Sequence, residues 1–127
     1  MPIAGIGTDI VEIDRIRQIY LRHPEKFISR ILSESEQRDF AEIDNKAAFL
    51  AKRFAAKEAA AKALGTGIGE HAAFVDFSVT HSAEGQPILD IQGRAKALMQ
   101  QRNLVASHIS LSDESALALA FVVFETA

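Results

Sequence analysis

A chain of 127 residues with 48% hydrophobic residues can bury one core but hardly two, so a single domain over 1–127 is expected. With no cysteine, disulfides, thiolate nucleophiles and thiolate metal sites are excluded, and a net charge of −3 argues against broad nucleic-acid binding, which needs a basic footprint. No basic-plus-apolar leader and no run of about 18 apolar residues is present, which makes the cytoplasm the expected compartment.

Ile3 to Ile13 is rich in Ile and Val with two glycines, and reads as a buried strand leading into a helix. Asp14 is placed to cap that helix, which runs to about His23, where Pro24 interrupts it. A short amphipathic turn or helix follows, with Phe27, Ile28, Ile31 and Leu32 as its apolar face. Ser33-Glu34-Ser35-Glu36 fits a capping box and starts a helix that ends near Ile43. Asn45 then caps a long alanine-rich helix that stops at Leu64, before Gly65. Phe74 to Thr80 alternates as a strand does, Glu84-Gly85-Gln86-Pro87 is a turn, and Ile88 to Ile91 completes a hairpin. After a short helix over Gly93 to Arg102, Val105 to Ser112 and Ser115 to Phe124 form a second hairpin turning at Asp113-Glu114. This order predicts an α+β domain with an antiparallel sheet packed against helices.

The long helix carries the strongest functional signal. At about 100° per residue, Phe49, Leu50, Phe54 and Leu64 fall on one apolar arc. Arg53 and Lys57 lie inside that arc, and Glu58 and Lys62 lie at its edge. Charges set against an apolar seam need an ion, a partner or a substrate to satisfy them. Asp9 is a second anomaly, an acid in a strand otherwise built of Ile, Val, Gly and Thr; its partner is a metal, a basic side chain or backbone amides. Two carboxylates from separate elements suit Mg²⁺, which takes one or two protein acids and fills its octahedron with water and phosphate oxygens. Glu12 is also acidic but points away from Asp9 by strand alternation, and is read as structural. Lys62 follows Glu58 by four residues, so the two can pair along the helix. Lys57 is open to two readings, a phosphate ligand or a structural ion-pair lysine.

Arg15, Arg17, Arg22, Lys26 and Arg30 are opposed over Arg15–Arg30 only by Glu25, a local basic patch on an acidic chain. Such a patch is either a solvated helix face or a landing surface for an anionic partner. His23, His71 and His81 show no metal-ligand spacing and read as surface residues. Gly65-Thr66-Gly67 lacks the lysine-serine/threonine ending of a Walker loop.

Gly5-Ile6-Gly7-Thr8-Asp9-Ile10-Val11-Glu12, Arg53-Phe54-Ala55-Ala56-Lys57-Glu58-Ala59, Gly65-Thr66-Gly67-Ile68 and Ser107-His108-Ile109-Ser110-Leu111-Ser112 occur in that order. Together they resemble the holo-[acyl-carrier-protein] synthases, the small bacterial branch of the 4′-phosphopantetheinyl transferases. The resemblance implies the fold of those transferases and a homotrimer with active sites between subunits. It implies transfer of the phosphopantetheine arm of coenzyme A to a serine of an acyl carrier protein, with adenosine 3′,5′-bisphosphate released. By the same resemblance Asp9 and Glu58 bind Mg²⁺, and Lys62 neutralises charge on the leaving phosphate. Arg53, Lys57, Lys46, Gly65 and His108 then contact coenzyme A, His108 at its nucleotide end. Glu58 is the candidate base for the serine proton. Arg15, Arg22 and Lys26 are the candidate contacts for the acidic carrier. The chain departs from the family at Ile43-Asp44-Asn45-Lys46, where several members carry two or three basic residues and this chain has only Lys46. A Mg²⁺-dependent nucleotide phosphohydrolase and a non-catalytic module for acidic proteins are the rival readings.

Overall fold

The computed structural model describes residues 2–127. Strand β1 (Ile3–Glu12) leads into helices α1 (Ile13–Arg22), α2 (Pro24–Ile31), α3 (Glu34–Ala41) and α4 (Lys46–Leu64). A 3₁₀ turn at Phe74–Asp76 opens the hairpin of β2 (Phe77–His81) and β3 (Pro87–Ile91). Helix α5 (Gly93–Gln101) and the long hairpin of β4 (Leu104–Glu114) and β5 (Leu117–Thr126) complete the chain. The architecture is α+β: a three-stranded antiparallel sheet in the order β1-β5-β4 and a separate two-stranded one, both packed on helices. Among the described residues no helix is long and apolar enough to cross a membrane.

Helix α4 is the axis of the molecule. Its interior is almost all alanine, so it can lie close against the inner face of the sheet, where Ala118, Ala120, Val122 and Phe124 of β5 are fully buried. Its ends are set as the sequence suggests: the Asn45 side chain accepts from Ala48 N, and Gly65 takes the left-handed conformation with φ 87°. That geometry favours glycine because a Cβ there is strained. The capping box at Ser33 and Glu36 is also present.

Four elements differ from expectation. Phe74–Asp76, expected as the start of a strand, forms a 3₁₀ turn, and β2 begins at Phe77. Strand β1 is an edge strand, not a buried one: Ile3, Ile6 and Ile10 are 67%, 61% and 58% exposed. Its apolar composition reflects an outer sheet face that this single chain leaves open. The N-cap of α1 is Glu12, and Asp14 sits inside the first turn, where it accepts from Arg17 at 2.9 Å. The last hairpin turns at Ser115-Ala116, two residues later than expected, because pairing of Glu114 with Leu117 extends the ladder.

Candidate active site

Lys57 and Glu58 are adjacent, and on a helix that single step is a rotation of about 100°. The rotation divides the helix's charges into two groups with different fates. Arg53 and Lys57 turn into the core, whereas Glu58 is half-buried at the edge and the Lys62 side chain is 51% exposed.

The outer group meets β1. Strand alternation turns Asp9 toward α4, where Lys62 Nζ donates to Asp9 Oδ1 at 3.1 Å and to the Thr8 carbonyl at 3.0 Å. Burial pushes the Glu58 carboxyl above the usual carboxylate range, and the negative charge of Asp9 pushes it further. Lys62, Arg15 and Arg30 oppose that rise. Asp9, Glu58 and Lys62 therefore share one electrostatic neighbourhood, with cations of α1 and α2 at its border. Arg30, which stands 5.6 Å over the Phe74 ring, had no signal of its own in the sequence beyond membership of the basic patch.

Two repelling carboxylates from different elements, both supplying hard oxygen donors, fit a divalent cation. Among the described residues no cluster of three or more His, Cys, Asp or Glu exists. A cation here would thus rest on Asp9 and Glu58 alone and take its remaining ligands from water or substrate oxygens, a donor set that suits Mg²⁺.

The inner group corrects one expectation. Lys57 is fully buried and donates to Glu36 Oε1 at 2.5 Å, to the Phe74 carbonyl at 3.2 Å and to the Phe77 carbonyl. An ammonium has three donors, and all three are spent. Lys57 is therefore the structural ion-pair lysine and not a coenzyme A ligand. Burial lowers its pKa, and Glu36 counters that shift. Arg53 is also buried, with Nε 3.2 Å from Glu36 Oε2 but off the line a hydrogen bond needs, and its guanidinium lies 4.3 Å over the Phe49 ring.

Glu36 is the residue that sequence reasoning missed as a hub. Beyond its capping role it accepts from Lys57 and from Val79 N at 2.9 Å, and it faces Arg53. The available signal was the pair of cations inside an apolar arc, which required an acid from elsewhere.

Arg53 also lines a cleft of about 1130 Å³ between α3, the start of α4, the β2–β3 hairpin and the end of β4. Arg38, Lys52, His81, Asn45 and Phe49 share its wall. His81 is exposed, as a surface histidine should be, but it stands at a concave wall of mixed charge, where Arg38, Lys52 and Arg53 alternate with Asp39, Glu42, Asp44 and Asp113; burial and Arg53 both lower its pKa. Lys46 is not among the lining residues. It donates to the carbonyls of Phe40 and Ile43 at 2.9 Å each, closing the α3–α4 turn and leaving one N–H free.

His108 joins neither group within the chain. It is exposed on the outer face of β4, with Nε2 2.5 Å from Glu125 Oε1, and shares a cross-strand row with Val123 and Ile6. Gly65 forms the turn that ends α4, its N–H donating to the Lys62 carbonyl at 2.9 Å. Arg15, Arg22 and Lys26 are all exposed on α1 and α2.

Known proteins resemble this arrangement over the whole chain. A family model described as the 4′-phosphopantetheinyl transferase superfamily matches residues 5–121. The holo-[acyl-carrier-protein] synthase of Vibrio campbellii is 49% identical over 126 residues, covering 99% of this chain and 100% of its own. The crystal structure of holo-[acyl-carrier-protein] synthase from Neisseria meningitidis superposes with a TM-score of 0.93 at 38% identity, covering 98% of this chain and 100% of that one. The Helicobacter pylori synthase in complex with coenzyme A gives 0.84 at 35% identity, with 94% and 99% covered.

Proposed function

The chain belongs to the 4′-phosphopantetheinyl transferase superfamily, and from that premise we propose how its residues divide the work of a holo-[acyl-carrier-protein] synthase. The enzyme transfers the 4′-phosphopantetheine arm of coenzyme A to a serine hydroxyl of an apo-acyl carrier protein. The serine Oγ forms a bond to the phosphorus that bears the pantetheine arm. The bond from that phosphorus to the bridging oxygen breaks, and adenosine 3′,5′-bisphosphate leaves with the electron pair. Positioning and charge stabilisation supply most of the catalysis in such a reaction.

Glu58 takes the serine proton. The single observation that carries the assignment is geometric: β1 and α4 bring Asp9 and Lys62 together beside Glu58, and burial there pushes the Glu58 carboxyl above the usual carboxylate range. Lys62, held at 3.1 Å by Asp9, keeps an ammonium beside the pair to meet charge growing on the leaving phosphate. Asp9 and Glu58 would hold Mg²⁺, which when bound polarises the pyrophosphate and offsets its negative charge. Gly65 lets the chain turn close to the same phosphates. Arg53 and its cleft receive the nucleotide end of coenzyme A, where an arginine presents a planar fork to phosphate oxygens. Lys46 borders that end with one remaining donor. Arg15, Arg22 and Lys26 form the landing surface for the acidic carrier in the cytoplasm.

We assign the assembly as a homotrimer with shared sites. The open face of the sheet supports association: Ile10 pairs with Leu119 and Thr8 with Phe121, so the outward side chains of β1 and β5 form one apolar patch. His108 lies on the same face, and a second copy packed there would bring it to a neighbour's site. Incubation with coenzyme A and an apo-carrier tests the reading. Wild type adds one phosphopantetheine mass to the carrier, and the Glu58→Ala and Asp9→Ala variants add none while remaining folded. Full transfer by either variant would overturn the assignment, and release of nucleotide without carrier modification would mark a hydrolase.

A further inference from the structure

The alternation that turns Asp9 toward α4 does the same for Gly5 and Gly7. A Cβ on Gly7 would stand 2.7 Å from Ala63 N and closer still to the Ala59 carbonyl oxygen. On Gly5 it would strike the Ala63 carbonyl. In both cases the obstacle is helix backbone, which no rotamer change can clear. Neither glycine has a positive φ, so backbone conformation does not call for them. What calls for them is the approach itself. Ala59 adjoins Glu58, Gly7 lies two residues from Asp9, and Lys62 reaches back across the same contact to Thr8 and Asp9.

We propose that Gly7 is a positioning residue: its missing side chain seats β1 directly on the α4 backbone at Ala59, and this seating fixes the span between the Asp9 and Glu58 carboxylates for one divalent cation. The inference rests on the metal assignment made above. Mg²⁺ demands short, near-octahedral oxygen contacts, so displacement of one strand by the width of a methyl group is enough to lose a ligand. Gly5 supplies an internal control, because it makes the same kind of backbone contact four residues from Asp9 rather than two.

Mn²⁺ is the probe, its binding to the folded enzyme with coenzyme A present read from the electron paramagnetic resonance signal of the free ion. Gly7→Ala is expected to weaken Mn²⁺ binding by about 10–100-fold, the range seen when groups that orient metal ligands are lost. Gly5→Ala is expected to lower the melting temperature comparably and to change Mn²⁺ affinity far less. Asp9→Glu, whose longer arm overshoots a fixed span, is expected to weaken binding in the native background and to restore part of it in Gly7→Ala. Equal losses for the two glycine variants, or wild-type Mn²⁺ affinity in Asp9→Glu, would overturn the spacing role. Should Gly7→Ala fail to fold, Asp9→Glu alone decides. Unchanged Mn²⁺ binding in both Asp9→Asn and Glu58→Gln would instead sink the metal site itself, an outcome the spacing variants do not mimic.

Discussion

Glu58 and Lys57 are neighbours in sequence and opposites in environment. Glu58 is half-buried beside Asp9, so its proton is held more tightly in the folded protein than in the unfolded chain. The sign follows: any stability tied to this shift is present at low pH and is lost as pH rises through the raised pKa. Activity runs the other way, since the base form appears only as the proton leaves. In the metal-free protein the Glu58 carboxyl is expected to titrate above the ordinary carboxylate range. Asp9→Asn, which removes the second cause of the shift but not the burial, is expected to move the pKa of Glu58 downward, read by NMR titration of labelled glutamate. An unmoved Glu58 resonance in Asp9→Asn would show that the two carboxylates do not interact. The helical arc made it legible that Arg53 and Lys57 needed a satisfying partner. It could not say which, because Glu36 lies 21 residues from Lys57 and their meeting is a tertiary event.

Glu36 also decides how α3, α4 and β2 fit together. It accepts from Ser33 N at the half-buried start of α3, and inside the core from Lys57 of α4 and Val79 N of β2. A buried carboxylate in this position costs desolvation, and removing it costs more, because Lys57 then keeps only the Phe74 and Phe77 carbonyls and no counter-ion. Glu36→Ala is expected to destabilise the fold by about 3–5 kcal/mol in denaturant unfolding, the usual penalty for breaking a buried pair. A Glu36→Gln, Lys57→Met double variant is expected to recover much of that loss, which a simple packing defect would not show. The capped ends of α3 and α4 were readable from Ser33, Asn45 and Gly65, since caps are local chemistry. The exposure of β1 was not. Ile6 and Ile10 look the same in sequence whether a face is covered by the chain's own helices or by another molecule.

At the scale of the whole molecule, that uncovered face and the position of His108 belong to one argument. Within a single chain His108 pairs with Glu125 and reaches neither the Asp9–Glu58 cluster nor the cleft. On the outer sheet face it stands in the row of Ile6 and Val123, so whatever covers the apolar patch also meets His108. In the proposed assembly a copy of the same chain would cover it, so that one surface would serve both association and catalysis. Phe121→Glu, which places a charge in the middle of the patch, is expected to sediment as a monomer and to lose transfer. The sharper consequence concerns mixtures. Under the proposed homotrimer, Glu58→Ala and His108→Ala would each damage every site of their own assembly, yet a shared site would draw Glu58 from one subunit and His108 from the next. If equal amounts of the two are dissociated and reassembled, about one quarter of the interfaces would pair an intact Glu58 with an intact His108. Transfer is expected to recover toward that fraction of wild type when such mixtures are assayed with apo-carrier. A mixture no more active than the average of its parents would place His108 outside the neighbour's site, whatever the subunit count.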